Sequence, residues 1–169
     1  MSRVLLCDTN VWSHLVLGTP AMRAHVQARL AEVARVHPGC VLATSRLCIA
    51  EALVAARRLA DADAASSAEA ALQVEFRNPN LLVVEVSEHV LDRAATLRAQ
   101  ALQRARGGGA VEAGADGGKL KLPDAVVVAS CLEFDPPAVL VTQNLRDFTF
   151  LSAEGLRLPV VDGLLLEPI

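Results

Sequence analysis

Short apolar runs alternate along this chain with longer stretches of helical spacing. Val4 to Cys7 is wholly apolar and stops at Asp8-Thr9-Asn10, the pattern of a buried strand. A short helix is expected to follow through Leu17, capped by Thr9 or Asn10. Gly18-Thr19-Pro20 breaks the pattern, and Ala21 to Val36 then has the spacing of an amphipathic helix. His37-Pro38-Gly39 reads as a turn and Cys40 to Thr44 as a second strand. Ser45 caps a helix through Leu59, and an Ala-rich helix runs from Ala62 to Phe76. Leu81 to Val86 is the third strand, and Ser87 caps a long helix to about Arg106. Gly107 to Gly118 has no periodicity and reads as a flexible Gly-rich loop. Pro123 opens a helix from Asp124 to Phe134, Val139 to Thr142 is a fourth strand, and Gln143 to Asp147 a turn. Pro159 to Val161 reads as a short edge strand. Strands alternating with helices predict an α/β domain, a parallel sheet covered on both faces, with no repeat and no second domain.

Composition agrees with this architecture. Hydrophobic residues make up 53% of the 169 residues but aromatics only 3%, so the core must be packed with Ala, Val and Leu. No apolar run is long enough to span a bilayer, and Asp8 interrupts the N-terminal run too early for a signal peptide. A soluble, cytoplasmic protein with no membrane partner is the expectation. The four cysteines (Cys7, Cys40, Cys48, Cys131) are scattered without close pairs, which excludes a zinc ribbon or a disulfide scaffold and leaves reduced, mostly buried thiols. The net charge of -3 argues against broad electrostatic capture of nucleic acid, although carboxylates filled by divalent cations are locally no longer negative.

Four acids occupy positions where an ordinary fold has little use for them. Asp8 ends one apolar strand, and Asp147 lies in the turn after another. Ligand sites of open α/β sheets form outside such carboxyl ends. Glu51 shares a helix face with Leu47, Val54 and Ala55, where an ionised carboxylate is costly unless a cation or hydrogen-bond donors meet it. The alternative for Glu51 is a salt bridge to Arg58, seven residues on. Asp124 precedes an almost wholly apolar helix, where it could simply complement the helix N-terminus. If the acids converge, each pair at ~4 Å repels by about 4 kcal/mol at an effective dielectric of 20, so the group needs protons or bound cations. Oxygen-only ligands suit Mg²⁺ or Mn²⁺, ions that activate water and neutralise a phosphate undergoing cleavage.

These residues and their order resemble the PIN-domain family, in particular its VapC-like toxin ribonucleases of type II toxin–antitoxin pairs. The resemblance rests on Val4-Leu5-Leu6-Cys7-Asp8-Thr9-Asn10-Val11, Ala43-Thr44-Ser45 leading to Ala50-Glu51, Leu120-Lys121-Leu122-Pro123-Asp124-Ala125, Val139-Leu140-Val141-Thr142, and Asn144-Leu145-Arg146-Asp147-Phe148. It covers nearly the whole chain. It implies a three-layer α/β/α sandwich with strand order about 3-2-1-4-5. It also implies that Asp8, Glu51, Asp124 and Asp147 are catalytic and bind Mg²⁺ or Mn²⁺. Thr142 and Asn144 then fall at the polar positions around the fourth acid, and Thr9 or Asn10 orients Asp8 or the metal-bound water. The implied reaction is endonucleolytic hydrolysis of RNA to 5′-phosphate and 3′-hydroxyl ends. The implied partners are a second copy in a homodimer and an antitoxin that covers the site, often by inserting an Arg among the acids.

The Gly107 to Gly118 stretch departs from the family's usual short turn and reads as a tolerated surface insertion. Lys119, Lys121, Arg46, Arg57, Arg58 and Arg146 are candidate phosphate contacts, each arginine with a solvated face or salt bridge as the alternative. The four histidines form no metal-spaced pair. Trp12 is expected in the core, with base stacking or a dimer interface as its other uses. Two further function classes compete with the nuclease. An aspartate-based phosphohydrolase would need a second Asp where Asn10 stands. A non-catalytic module binding RNA or protein through the same fold would have no reason to keep all four acids.

Overall fold

A computed structural model describes residues 3–107, 120–148 and 160–162, with the backbone alone for 104–107, 146, 147 and 160–162. Apart from Gly107, the Gly-rich stretch expected at 107–118 lies outside the described residues. The elements are β1 (Val4–Cys7), α1 (Thr9–Val16), α2 (Pro20–Val36), β2 (Val41–Ser45), α3 (Arg46–Arg57), α4 (Ala62–Phe76), β3 (Leu82–Val84), α5 (Glu88–Gly107), α6 (Leu122–Cys131), β4 (Val139–Thr142), a 3-10 helix (Leu145–Phe148) and β5 (Val160–Asp162). The strands form one parallel sheet in the order β3-β2-β1-β4-β5, the order that the resemblance implies.

The two-residue period of the strands divides the core. Leu5 and Cys7 of β1, with Val139 and Val141 of β4, face a layer built from α1, α2 and α4, where Val11, Val26 and Leu72 are fully buried. Leu6 and Leu140 point the other way, onto Ala94 of α5 and the wholly buried run Ala125 to Cys131 of α6. Helix α3 sits between, giving Cys48 to one cluster and Ala52 and Ala56 to the other. Central strands covered on both faces explain why Val4 to Cys7 and Val139 to Val141 are apolar throughout. Small core residues let the helices approach the sheet closely.

Several boundaries differ from expectation. Pro20, read as part of a break, opens α2 at its first turn, where its missing N–H costs nothing; Thr19 caps that turn through Met22 N. Helix α6 ends at Cys131 rather than Phe134. There Arg93 of α5 donates to the Leu132 carbonyl at 2.9 Å, and Pro136-Pro137 can supply no further helical N–H. Leu145–Phe148 winds into a 3-10 helix that overlaps Gln143 to Asp147, the segment read as a plain turn. Gly18 is required after α1, because a Cβ there would stand 2.4 Å from the His14 carbonyl oxygen. Gly39 closes the turn before β2 with a φ of 72°. Among the described residues no helix is long and apolar enough to cross a membrane.

Candidate active site

Strand β1 sits centrally, between β2 and β4, and delivers Asp8 to the carboxyl end of the sheet. Asp8 itself, rather than Thr9 or Asn10, caps α1. Its backbone is extended (φ -74°, ψ 165°) and its Oδ1 accepts the Thr9 N–H at 2.6 Å. The two residues expected to cap are thereby freed for longer-range contacts. The Thr9 hydroxyl donates to Glu51 Oε2, joining α1 to α3. The Asn10 carboxamide donates to Asp8 Oδ2 at 3.0 Å and approaches Thr142 Oγ1 at 3.1 Å, while its Oδ1 accepts the Gln143 N–H at 3.1 Å.

Thr142 closes this network from β4. Its hydroxyl donates to Asp8 Oδ2 at 2.9 Å and accepts the backbone N–H of Asn144 at 3.1 Å. Asn144 thus enters through its main chain. Asp8 is only 7% exposed. Burial raises its carboxyl above the ordinary value of 3.8, and the Glu51 charge adds to the rise; hydrogen bonds from Thr142, Thr9 and Asn10 oppose it. A buried carboxylate with a like-charged neighbour is the setting a cation relieves.

Glu51 is half-buried on α3 and has no ion-pair partner among the described residues, so the alternative of a salt bridge to Arg58 is not realised. Asp124 lies in the first turn of α6, half-buried, with Oδ2 shielded from solvent. The backbone of Asp147 and Arg146 belongs to the 3-10 helix after β4, and their side chains lie outside the described residues. The structure therefore joins Asp8 to Glu51 through Thr9. Among the described residues no three His, Cys, Asp or Glu side chains stand together as a metal cage. The pair that does form offers carboxylate oxygens, donors that fit Mg²⁺ or Mn²⁺. Cys48 Sγ approaches Asp8 Oδ1 at 4.0 Å, but burial first and the Asp8 charge second push its thiol up to about 11, so it stays protonated.

A family model described as PIN domain matches residues 5–148, a span that runs from β1 to the 3-10 helix and includes all four acids. The chain belongs to the PIN domain family. No curated protein matches it by sequence. Among solved structures, this PIN domain is similar to FitAB bound to an IR36 DNA fragment (TM-score 0.65, 17% identity, 97% of this chain and 98% of that one). It is also similar to VapBC-1 from nontypeable Haemophilus influenzae (TM-score 0.61, 17% identity, 95% and 98%). A third likeness is to VapC20 from Mycobacterium tuberculosis, a sarcin-ricin loop cleaving toxin (TM-score 0.50, 17% identity, 80% and 86%).

The cationic candidates of the PIN domain are arranged unevenly. Arg46, 56% exposed, pairs with Glu85 at 2.8 Å, an exposed ion pair of small worth that a phosphate could replace. Lys121 holds the N-cap position of α6 and is exposed. Lys119 lies outside the described residues. The four cysteines are free thiols, as expected. A groove of about 870 Å³ opens beside the start of β2, over Leu15, Leu30, Leu42 and Leu81, and reaches neither Asp8 nor Glu51.

Sequence reasoning missed a contact behind the site. Trp12 is 4% exposed, as a core residue should be, but its indole N–H donates to Thr44 Oγ1 at 3.0 Å and to the Cys7 carbonyl at 3.3 Å. The signal was faint: Trp12 stands one helical turn after Asp8, and Thr44 follows Ala43, the register partner of Leu6.

Proposed function

We propose that this PIN domain is a Mg²⁺- or Mn²⁺-dependent endoribonuclease and the toxin of a toxin–antitoxin pair. The carrying observation is the joining of Asp8 and Glu51 by Thr9 at the carboxyl end of β1, with Asp8 held above its ordinary pKa mainly by burial. Asp8, Glu51, Asp124 and Asp147 are assigned as the ligands and catalytic acids. When bound, the ion supplies a water acidified enough to attack phosphorus and a positive charge to stabilise the transition state. The chain's own residues do the positioning. Thr142 and Asn10 fix Asp8 Oδ2, and Thr9 fixes Asp8 Oδ1 through its N–H and Glu51 through its hydroxyl. Asn144 holds Thr142 in place. Arg46, Lys121 and Arg146 are assigned to the RNA phosphates, where guanidinium and ammonium groups offer charge-assisted hydrogen bonds.

RNA as substrate is supported by the Mycobacterium tuberculosis relative, a toxin that cleaves the sarcin-ricin loop. An antitoxin partner is supported by the VapBC and FitAB assemblies among the similar folds. On this reading the protein acts in the cytoplasm as a homodimer, and its antitoxin silences it with a cationic side chain set among the acids. The net charge of -3 suits a protein that discriminates its RNA through the ion rather than through a broad basic face.

The test is cleavage of RNA by the metal-stripped protein with Mn²⁺ added back. Wild type should cut only with the ion. Asp8→Asn and Glu51→Gln should abolish cleavage while keeping the circular dichroism of the wild type. Equal cutting by either variant, or by wild type in excess chelator, defeats the assignment.

A further inference from the structure

Asp8 is aimed by its peptide bond as well as by its side-chain partners. The N–H of the Cys7–Asp8 peptide donates to the Val141 carbonyl of β4 at 3.0 Å. The C=O of the same peptide, on the β2 side, accepts from the Thr44 hydroxyl and the Trp12 indole N–H, both at 3.3 Å. Trp12 and Thr44 also bond each other at 3.0 Å, so the three groups form a closed triangle. The single indole N–H is shared between Thr44 Oγ1 and the Cys7 oxygen, while the Thr44 hydroxyl donates its own proton to that oxygen.

Both donors are themselves immobile. Thr44 is fully buried, and the Trp12 ring packs edge-on against Phe76 at a centroid distance of 5.3 Å and an interplanar angle of 71°. Trp12 also belongs to the first turns of α1, the helix that Asp8 caps. The plane preceding Asp8 is thus held at both edges, and the helix leaving Asp8 is fixed by the same indole. Rotation of that plane would swing the carboxylate away from Glu51 and from any shared ion.

We propose that Trp12 and Thr44 are positioning residues for Asp8, setting its carboxylate for the ion through a clamp on the Cys7 carbonyl. This rests on the metal-dependent nuclease reading above. Outer partners of ligand residues are typically worth about 10–100-fold in metal affinity or activity, and a clamp acting through the main chain belongs at the lower end, about tenfold.

Thr44 gives the cleanest experiment, because its two conservative variants separate hydrogen bonding from shape. Thr44→Val keeps the volume and loses the hydroxyl; Thr44→Ser keeps the hydroxyl and loses a methyl. The measurements are the Mn²⁺ concentration at half-maximal thermal stabilisation, and kcat and KM for RNA cleavage. Thr44→Val should raise the Mn²⁺ midpoint and lower kcat by about tenfold with KM unchanged, and Thr44→Ser should stay within about twofold of wild type. Trp12→Phe, which keeps a ring against Phe76 but removes the N–H, should behave like Thr44→Val. The opposite order, with Thr44→Val normal and Thr44→Ser impaired, identifies packing alone and overturns the proposal, as does an unchanged midpoint in both. The Mn²⁺ midpoint also keeps the two readings apart. A wild type that binds Mn²⁺ but cuts no RNA would defeat the nuclease assignment, and the midpoints of the variants would still decide the clamp.

Discussion

Asp8 carries two opposed demands. The chain invests the Thr9 N–H, the Asn10 amide and the Thr142 hydroxyl in favouring its charged form, yet burial and the Glu51 charge leave its pKa raised. Folding therefore stabilises the protonated acid relative to the unfolded chain. Between the unfolded and folded pKa values the folded state binds more protons, so stability falls as pH rises through that interval and returns as pH falls. In metal-free protein, the melting temperature of wild type relative to Asp8→Asn should rise as pH is lowered from about 7 to about 4. Mn²⁺ at neutral pH should supply the same relief and stabilise wild type but not the variant. A difference between the two proteins that stays flat with pH would show that the carboxylate is not under this strain.

At the scale of elements, α3 shows how one helix serves two purposes. Its N-cap Ser45 is fully buried, accepts the Cys48 N–H at 3.1 Å and donates to the Cys48 thiol at 3.2 Å. Replacing an N-cap serine by alanine typically costs ~1 kcal/mol, and a domain of this size then loses roughly 2–4 °C in melting temperature. Ser45→Ala should show that loss in a thermal melt. A larger effect on Mn²⁺ binding than on stability would mean that the cap also aims Glu51, one turn beyond Cys48. Ser45 as a cap was legible from its place before an apolar periodic run. Asp8 as a cap was not, because Asp, Thr and Asn stand in succession and all three cap well. Long-range partners decided between them: Glu51, 42 residues away, takes the Thr9 hydroxyl, and Thr142 and Gln143 engage Asn10. For the same reason α6 overran its true end in the periodic pattern, since Arg93, which meets its last turn, is 39 residues away.

At the scale of the whole molecule, the sheet order and the carboxyl-end placement of Asp8 could be read from alternating strands and helices and from the family resemblance. Glu51 could be read because its face of α3 is otherwise apolar. The place of Asp124 relative to β1 could not, because it depends on how α6 packs against the sheet. Charge could be read in full, and it has a consequence for RNA binding. With a net charge of -3 and only Arg46, Lys121 and Arg146 assigned to phosphates, few counterions can be displaced when RNA docks. Single-stranded nucleic acid gives a slope of log affinity against log salt of about -0.7 per neutralised phosphate, so these contacts predict a slope no steeper than about -2. Arg46 would contribute less than its share, because leaving Glu85 offsets part of what a phosphate gives. The measurement is RNA affinity of Asp124→Asn, which should bind without cutting, across a series of KCl concentrations at fixed Mn²⁺. A shallow slope, reduced by about 0.7 in Lys121→Ala, fits recognition through the ion and a few cations. A slope steeper than roughly -5 would demand a broad basic surface that this composition does not supply, and would point to binding by a dimer face built from both copies.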